Sequence, residues 1–505
     1  MLTNLLNFKN HIMKKLLLIV LIFFSFYSNS QTTIYSTTLN KDKLVVKYKY
    51  LQKTNKLILK ESNEKKMNYA IFNKATIYDS NSKSNELINN EKFIYVFNSL
   101  NEENFGTLMQ DGVFSPLSLN FSINNKKTSF QMKSKDFERY SFDFEGTALE
   151  MKPTIYFDEN YIYTIINENG RTHGIEIAKD ALQLDKFNIA KQTSSLISLK
   201  KIDTDRLKSK DLALPKQIAF QSKYYNNNTL EIVTKSINKD YKTSTLYRDI
   251  YDLDGKFIKE ISYNYNSIKG FLVPTYNNST FENMINSYSQ SPGSHRAAIE
   301  LDVNDYYIDP KTNEFYIYGI TAAKDSNGLS YKSALGFYIN KYSEKGEKIW
   351  EKFYDVSDEK GFNQKSDQRP LETKINLKQF TDENQLVLSI VGFKTYTKQY
   401  YDFFVINKNS GKMEDSKSAN SDSQTSKGTF SYGGKFSLFE IIELDKNKFC
   451  DENTILTTTF NLDLKKYINK IAAKDDVFFN SILSAEGIWL METDNKTYYK
   501  VSFFK

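Results

Sequence analysis

His173 and His295 are the first residues to consider for metal or acid–base chemistry, because they are the only histidines beyond the N-terminal 30 residues. Neither sits in an H-x-x-x-H or H-E-x-x-H spacing, so a zinc site would need carboxylates from elsewhere, and both read as structural or surface positions. His295 lies beside Arg296 in "SPGSHR", a turn that suits an anion or plain solvent equally well. Cys450, in "NKFCDEN", is the single cysteine. No histidine lies near it in sequence to activate it, so it reads as half-buried and inert, and no intrachain disulfide can form. In "DIYDLDGKFIKEI", Asp252, Asp254 and Gly255 take positions three, five and six of an EF-hand loop, but Ile250 and Ile261 fall at positions one and twelve. Those two positions need a carboxylate and a bidentate glutamate. Asp252 and Asp254 therefore read as turn formers, with a weak calcium site as the residual alternative and no other cofactor expected. "GTFSYGGKF" has the outline of a phosphate loop, yet Thr429 stands five residues before Gly434, and Phe436 follows Lys435 where a hydroxyl must reach magnesium. The chain has no G-x-S-x-G nucleophile elbow. A carboxylate pair for glycoside chemistry would have to be assembled from residues far apart in sequence.

The elements that would position such residues are strands. Tyr and Phe number 35 and 37 against 19 Gly and 7 Pro, a balance that suits pleated, half-buried surfaces. Short strand-like runs, each led in by an Asn or Glu turn residue, have their first apolar residues at Phe93, Tyr161, Leu230, Phe315, Leu386 and Ile455. The intervals are 68, 69, 85, 71 and 69, and a polar insertion over 278–295 accounts for the long one. Three runs continue into a strand, a glycine-centred turn and a further strand or loop, at Gly255, Gly346 and Gly411. An Asp/Asn/Ser-Gly turn supplies the positive φ that a tight hairpin requires. One such unit cannot cover its own apolar face. Stacking units buries it, and closing the stack into a ring removes exposed ends. The expected fold is all-β: a β-propeller of about seven blades, within six to eight, over residues 31–505.

The turn "EKGEKIW", with Gly346 and Trp350, resembles the D-x-x-x-G-x-x-x-W turn of quinoprotein-like bacterial propeller repeats. The chain as a whole resembles poorly characterised secreted propeller-like proteins of Bacteroidetes-type bacteria. The likeness covers three repeats well. Gly411 is followed by Met413 and Glu414 without a tryptophan, and Phe257 and Ile258 follow Gly255 where Ile349 and Trp350 would stand. The resemblance implies architecture and brings no catalytic residue.

Other segments complete the expectation. Residues 43–62 and 486–504 read as hairpins that could close the ring. "LDLKKYINKIAA" places Leu464, Ile468 and Ile471 on one helical face, and the Ser-rich stretch 414–427 reads as a disordered loop. From Met13, two lysines precede an apolar run from Leu16 to Phe24, and Ser28 and Ser30 stand before Gln31. This is the pattern of a cleaved signal peptide occupying residues 1–30, and the run is shorter than the ~20 residues that span a bilayer. Its removal takes Lys9, Lys14 and Lys15 and lowers the formal charge from +7 to +4, with Lys and Glu interspersed. That balance speaks against nucleic acid or an anionic membrane as partner. The resulting expectation is an exported, periplasmic or extracellular, monomeric scaffold, non-enzymatic, that binds a protein, peptide or glycan. The rival is a polymer-active hydrolase or lyase with carboxylates in the central channel.

Overall fold

The computed structural model describes most of residues 31–131, 156–199, 220–272, 306–355, 374–422 and 442–505. The expected signal peptide, the 278–295 insertion, His173, His295 and "GTFSYGGKF" lie outside the described residues. Among the described residues the strands form six hydrogen-bonded sheets. Sheet I has eight strands, from Val45–Leu51 through Ser84–Asn98 to Lys126–Gln131. Sheet II comprises Tyr156–Phe157, Tyr161–Asn167, Leu182–Asn188 and Thr193–Ser198. Sheet III comprises Phe220–Asn226, Thr229–Ile237, Thr243–Asp252 and Phe257–Asn266. Sheet IV has Phe271–Leu272 and Tyr306–Ile308 beside Phe315–Lys324, then Tyr331–Tyr342 and Lys348–Asp355. Sheet V comprises Lys374–Gln379, Gln385–Thr395, Lys398–Asn407 and Met413–Asp422. Sheet VI runs from Ile442–Glu443 and Lys448–Cys450 through Val477–Ser484, Gly487–Thr493 and Tyr498–Phe504, and takes Gln31–Thr38 as its outermost strand.

The arrangement is a β-propeller of five blades, sheets II to VI, with sheet I set between the last and the first of them, which corrects the expected number of about seven. The difference lies in the N-terminal quarter. Ser84–Asn98 is 15 residues long and bonds to Ala70–Tyr78 on one side and to Phe105–Met109 on the other, so the segment from 45 to 131 forms one continuous sheet. Leu51, Ile58 and Phe72 from its first strands share a cluster with Phe93, Val96 and Met109, so its two halves bury apolar surface against each other.

Each blade repeats one logic. The second strand of sheets II to V starts with, or directly before, Tyr161, Leu230, Phe315 and Leu386, and it alternates residues toward the two neighbouring sheets. In sheet IV, Tyr316, Tyr318 and Ile320 pack against Leu386, Leu388 and Phe404 of sheet V, whereas Phe315 and Ile317 pack against Tyr263 and Tyr265 of sheet III. A strand buried on both faces reads as a continuous apolar run with a period of two in its partners. Leu230 and Ile232 meet Tyr163 and Leu184 between sheets II and III. Val387 and Phe403 meet Phe479 and Leu490 between sheets V and VI. The circuit closes where Trp489, Met491 and Val501 of sheet VI pack on Leu57 and Leu59 of sheet I, and where Phe121 meets Phe157 at 5.1 Å between centroids. The strand that pairs with Tyr498–Phe504 is Gln31–Thr38, and the 43–62 hairpin belongs to sheet I.

Two further expectations are corrected. Ile455 lies in a helix, α1 (Glu452–Phe460), and not in a strand. Asp451 caps it, accepting from the Thr454 amide, and the Thr457, Thr458 and Thr459 hydroxyls donate to carbonyls within the helix, which tolerates the β-branched run. The 414–427 loop is in part the outermost strand Met413–Asp422, paired along one edge with Lys398–Asn407. A strand paired on one side and bathed in solvent on its faces needs no apolar residues, so its composition is that of a loop. Helix α2 (Leu462–Ala472) buries Leu464 and Ile468 against sheets V and VI.

Candidate binding face

Antiparallel order brings the turn between the first and second strands of a blade and the turn between its third and fourth strands to the same end. In sheets II to V the latter turns share one chemistry. The third strand ends on Asn188, Asp252 or Asn407, or directly before Ser343, and the side-chain oxygen of that residue accepts backbone N–H groups two to four residues on. The left-handed position that follows is Gln192, Gly255, Gly346 or Gly411, with φ between 55° and 89°. Asx- and Ser-turn bonds and a positive φ together define a tight, bulged hairpin.

The three glycines are also inter-blade contacts. A Cβ on Gly255 would lie 2.7 Å from Ile197 Cγ2 of sheet II, and one on Gly411 would lie 2.9 Å from Trp350 Cε3 of sheet IV. One on Gly346 would overlap Ile261 Cγ2 of sheet III. Each turn therefore seats on the outer strand of the preceding blade. Trp350 does not pack on its own turn. Its Nε1 donates to the Lys408 carbonyl at 3.0 Å, and the Tyr354 hydroxyl donates to the Gly411 carbonyl at 2.6 Å.

Buried ions hold the same end. Lys408 Nζ donates to Asp309 of sheet IV and to Gln379, and Lys341 Nζ pairs with Glu314 at 2.8 Å while donating to the Lys408 carbonyl at 3.1 Å. Burial works against the Asp309 anion, but the bonds from Lys408 and from the Lys311 and Thr312 amides hold its carboxyl below the usual range. Within sheet III, Arg248 meets Glu231 of the neighbouring strand through both Nε and Nη2, a two-point pair with each side chain 3% exposed. Removing one partner of such a pair costs more than the pair contributes, so these groups are structural commitments.

What remains exposed on this face is polar and regular. Lys191, Lys256, Lys345 and Lys412 each stand within one residue of the left-handed turn position in four successive blades. Asp254, Glu344, Glu347 and Glu414 alternate with them, and Lys186 of sheet II pairs with Asp254 of sheet III at 2.5 Å. Lys311 and Glu383 pair likewise between sheets IV and V at 2.5 Å. The sequence pointed to the glycines and Trp350 through their spacing. It left Lys408, Asp309, Arg248 and Glu231 unmarked, because their partners are 99 and 17 residues away and no local pattern announces them.

A second polar cluster sits where α1 meets the inner strands of sheets V and VI. Asp451 Oδ1 accepts from the Thr454 amide at 2.9 Å and the Ser481 amide at 3.2 Å, and Glu452 accepts from the Ser389 hydroxyl. Burial, partly offset by those hydrogen bonds and by Lys378, pushes the Asp451 carboxyl up to about 6. Its contacts are those of a helix N-cap. Cys450 lies in the short strand beside it, and Asp252 and Asp254 are in the turn described above. Among the described residues, no group of three or more His, Cys, Asp or Glu is placed to hold a metal ion. No helix among them is long and apolar enough to cross a membrane.

No family model matches the chain, and no curated protein matches it. Solved structures similar to it include the WD40 domain of SCAP from fission yeast, at 8% identity over 94% of each chain with a TM-score of 0.29. TolB from Acinetobacter baumannii aligns at 7% identity over 64% of this chain and 57% of its own, with a TM-score of 0.22. Penicillium chrysogenum α-L-arabinanase complexed with arabinobiose aligns at 10% identity over 76% and 83%, with a TM-score of 0.23. Likenesses at this level decide neither fold nor activity, and the propeller arrangement rests on the sheet order and packing above.

Proposed function

We propose that the protein is an exported binding scaffold that presents an extended polar ligand, a peptide segment or a glycan, to the turn face, and that it works without a cofactor. The observation that carries this reading is the repeated turn. Four successive blades hold an Asx or Ser turn fixed by its own hydrogen bonds, three of them seated on the blade before through a glycine, with an exposed lysine beside each and an acid beside the last three. A preorganised polar surface loses little entropy on binding, and regular spacing matches a polymeric ligand. The buried acids and bases of this end are spent within the structure: Lys408 and Asp309 join sheets IV and V, and Arg248 and Glu231 pair between neighbouring strands of sheet III. Kinship with the secreted propeller-like proteins of Bacteroidetes-type bacteria, and residence in the periplasm or outside the cell, belong to the same proposal. Asp451 favours the second reading, a polymer-active hydrolase, because a carboxyl raised to about 6 suits a general acid. The two readings separate on peptide and glycan arrays read twice, once for retained protein and once for shortened ligand. Retention with intact ligand supports the scaffold, and shortened ligand supports the hydrolase.

A further inference from the structure

Sheet I carries a feature that a binding face elsewhere does not use. Lys49 and Lys60 stand on adjacent strands, Val45–Leu51 and Lys56–Ser62, whose register sets Lys49 opposite Ile58 and Lys47 opposite Lys60. An offset of two residues keeps both side chains on one face of the sheet. It is the inner face, where Leu51 and Ile58 pack with Phe72, Phe93 and Val96. Both amines converge on one ring: Lys49 Nζ lies 5.1 Å and Lys60 Nζ 5.7 Å from the Tyr95 centroid, and Lys60 Nζ lies 4.9 Å from that of Phe72. Lys49 Nζ donates to the Val96 carbonyl at 2.9 Å. Lys60 is buried, whereas Lys49 is half-buried.

Two ammonium ions against one ring repel each other, which drives one of the pair toward its neutral form. Burial first, and the Lys60 charge second, pull the Lys49 amine down to about 7 against the opposing pull of Glu102. A desolvated lysine beside a second cation is the arrangement that yields a nucleophilic amine at neutral pH.

We propose that Lys49 is a covalent attachment site for small aldehydes, the open-chain form of a reducing sugar included. The Nζ lone pair attacks the carbonyl carbon, and the amine proton passes to the carbonyl oxygen to give a carbinolamine. Loss of its hydroxyl as water leaves an imine between Nζ and the former carbonyl carbon, with no change of oxidation state.

The test treats the full chain with glycolaldehyde and sodium cyanoborohydride, which traps the imine as a secondary amine, from pH 6 to 10. Labelling at each lysine is read by peptide mass spectrometry, with N-acetyl-lysine in the same vessel as the reference amine. At pH 7, Lys49 is expected to label about tenfold faster than the exposed Lys345 and Lys466, the gain in neutral amine outweighing its weaker nucleophilicity. Its rate should level off above pH 7 to 8 while that of the reference amine keeps rising. Lys60→Met should lower Lys49 labelling at pH 7 severalfold and leave Lys345 unchanged. Lys49 labelling no faster than Lys345, a pH profile like that of the reference amine, or indifference to Lys60→Met would each overturn the proposal. Should Lys60→Met fail to fold, the wild-type profile decides alone.

Discussion

Trp350 Nε1 donates to the Lys408 carbonyl at 3.0 Å, joining the outer strand of one blade to the turn of the next across 58 residues. The Lys341 ammonium donates to the same carbonyl at 3.1 Å, and the indole packs against the Gly411 turn, so a single carbonyl gathers contacts from two strands of sheet IV.

Trp350→Phe keeps much of the ring packing and removes the indole donor. The Lys408 carbonyl retains Lys341, so the expected cost is that of one hydrogen bond and some contact, about 1–2 kcal/mol. Urea unfolding of the two proteins checks it. A change below a few tenths of a kcal/mol would mean that the contact between sheets IV and V does not depend on this bond.

Gly346→Ala places a methyl group against Ile261 Cγ2 at a position with φ of 89°. Left-handed strain alone costs roughly 1–2 kcal/mol, and the buried, β-branched neighbour adds to it. Gly411→Ala should cost less, because one of the atoms in its way belongs to the flexible Lys352 stem. Comparing the unfolding midpoints of the two variants tests the order, and equal losses would count against the packing of Gly346 on sheet III.

Much of this was legible in the sequence. Glycine turns and strand starts at Tyr161, Leu230, Phe315 and Leu386 mark four of the five blades, because turn chemistry and a two-faced apolar strand are local properties. Three things were not legible. Sheet I merges what the period would divide, since continuity along Ser84–Asn98 depends on partners on either side. The run after Asp451 has strand composition and helix capping, and the cap together with burial of Ile455 and Leu456 prevails. The ion pairs that lock the turn face join residues from different strands and blades, and only the fold brings them together.

Asp451 predicts a pH signature. Its carboxyl is raised to about 6 in the folded chain from 3.8, so the folded state binds the proton more tightly than the unfolded state does. The associated stability, on the order of 3 kcal/mol, is present below about pH 4 and lost as pH rises through 6. Asp451→Asn retains an acceptor for the Thr454 and Ser481 amides without titrating. The stability of the variant relative to wild type should therefore rise between pH 4 and 6 and stay level above pH 6.5. A pH-independent difference in denaturant unfolding would refute the buried, neutralisable cap.

The central claim, that the turn face is a ligand surface, is tested most directly by reversing its charge pattern. Lys191→Glu, Lys256→Glu, Lys345→Glu and Lys412→Glu combined alter only exposed side chains, so the unfolding midpoint should stay near that of wild type. On peptide and glycan arrays the account predicts that ligands retained intact by the wild type lose at least tenfold in signal with the combined variant. Undiminished binding by that variant, or shortening of the arrayed ligand by either protein, would contradict it.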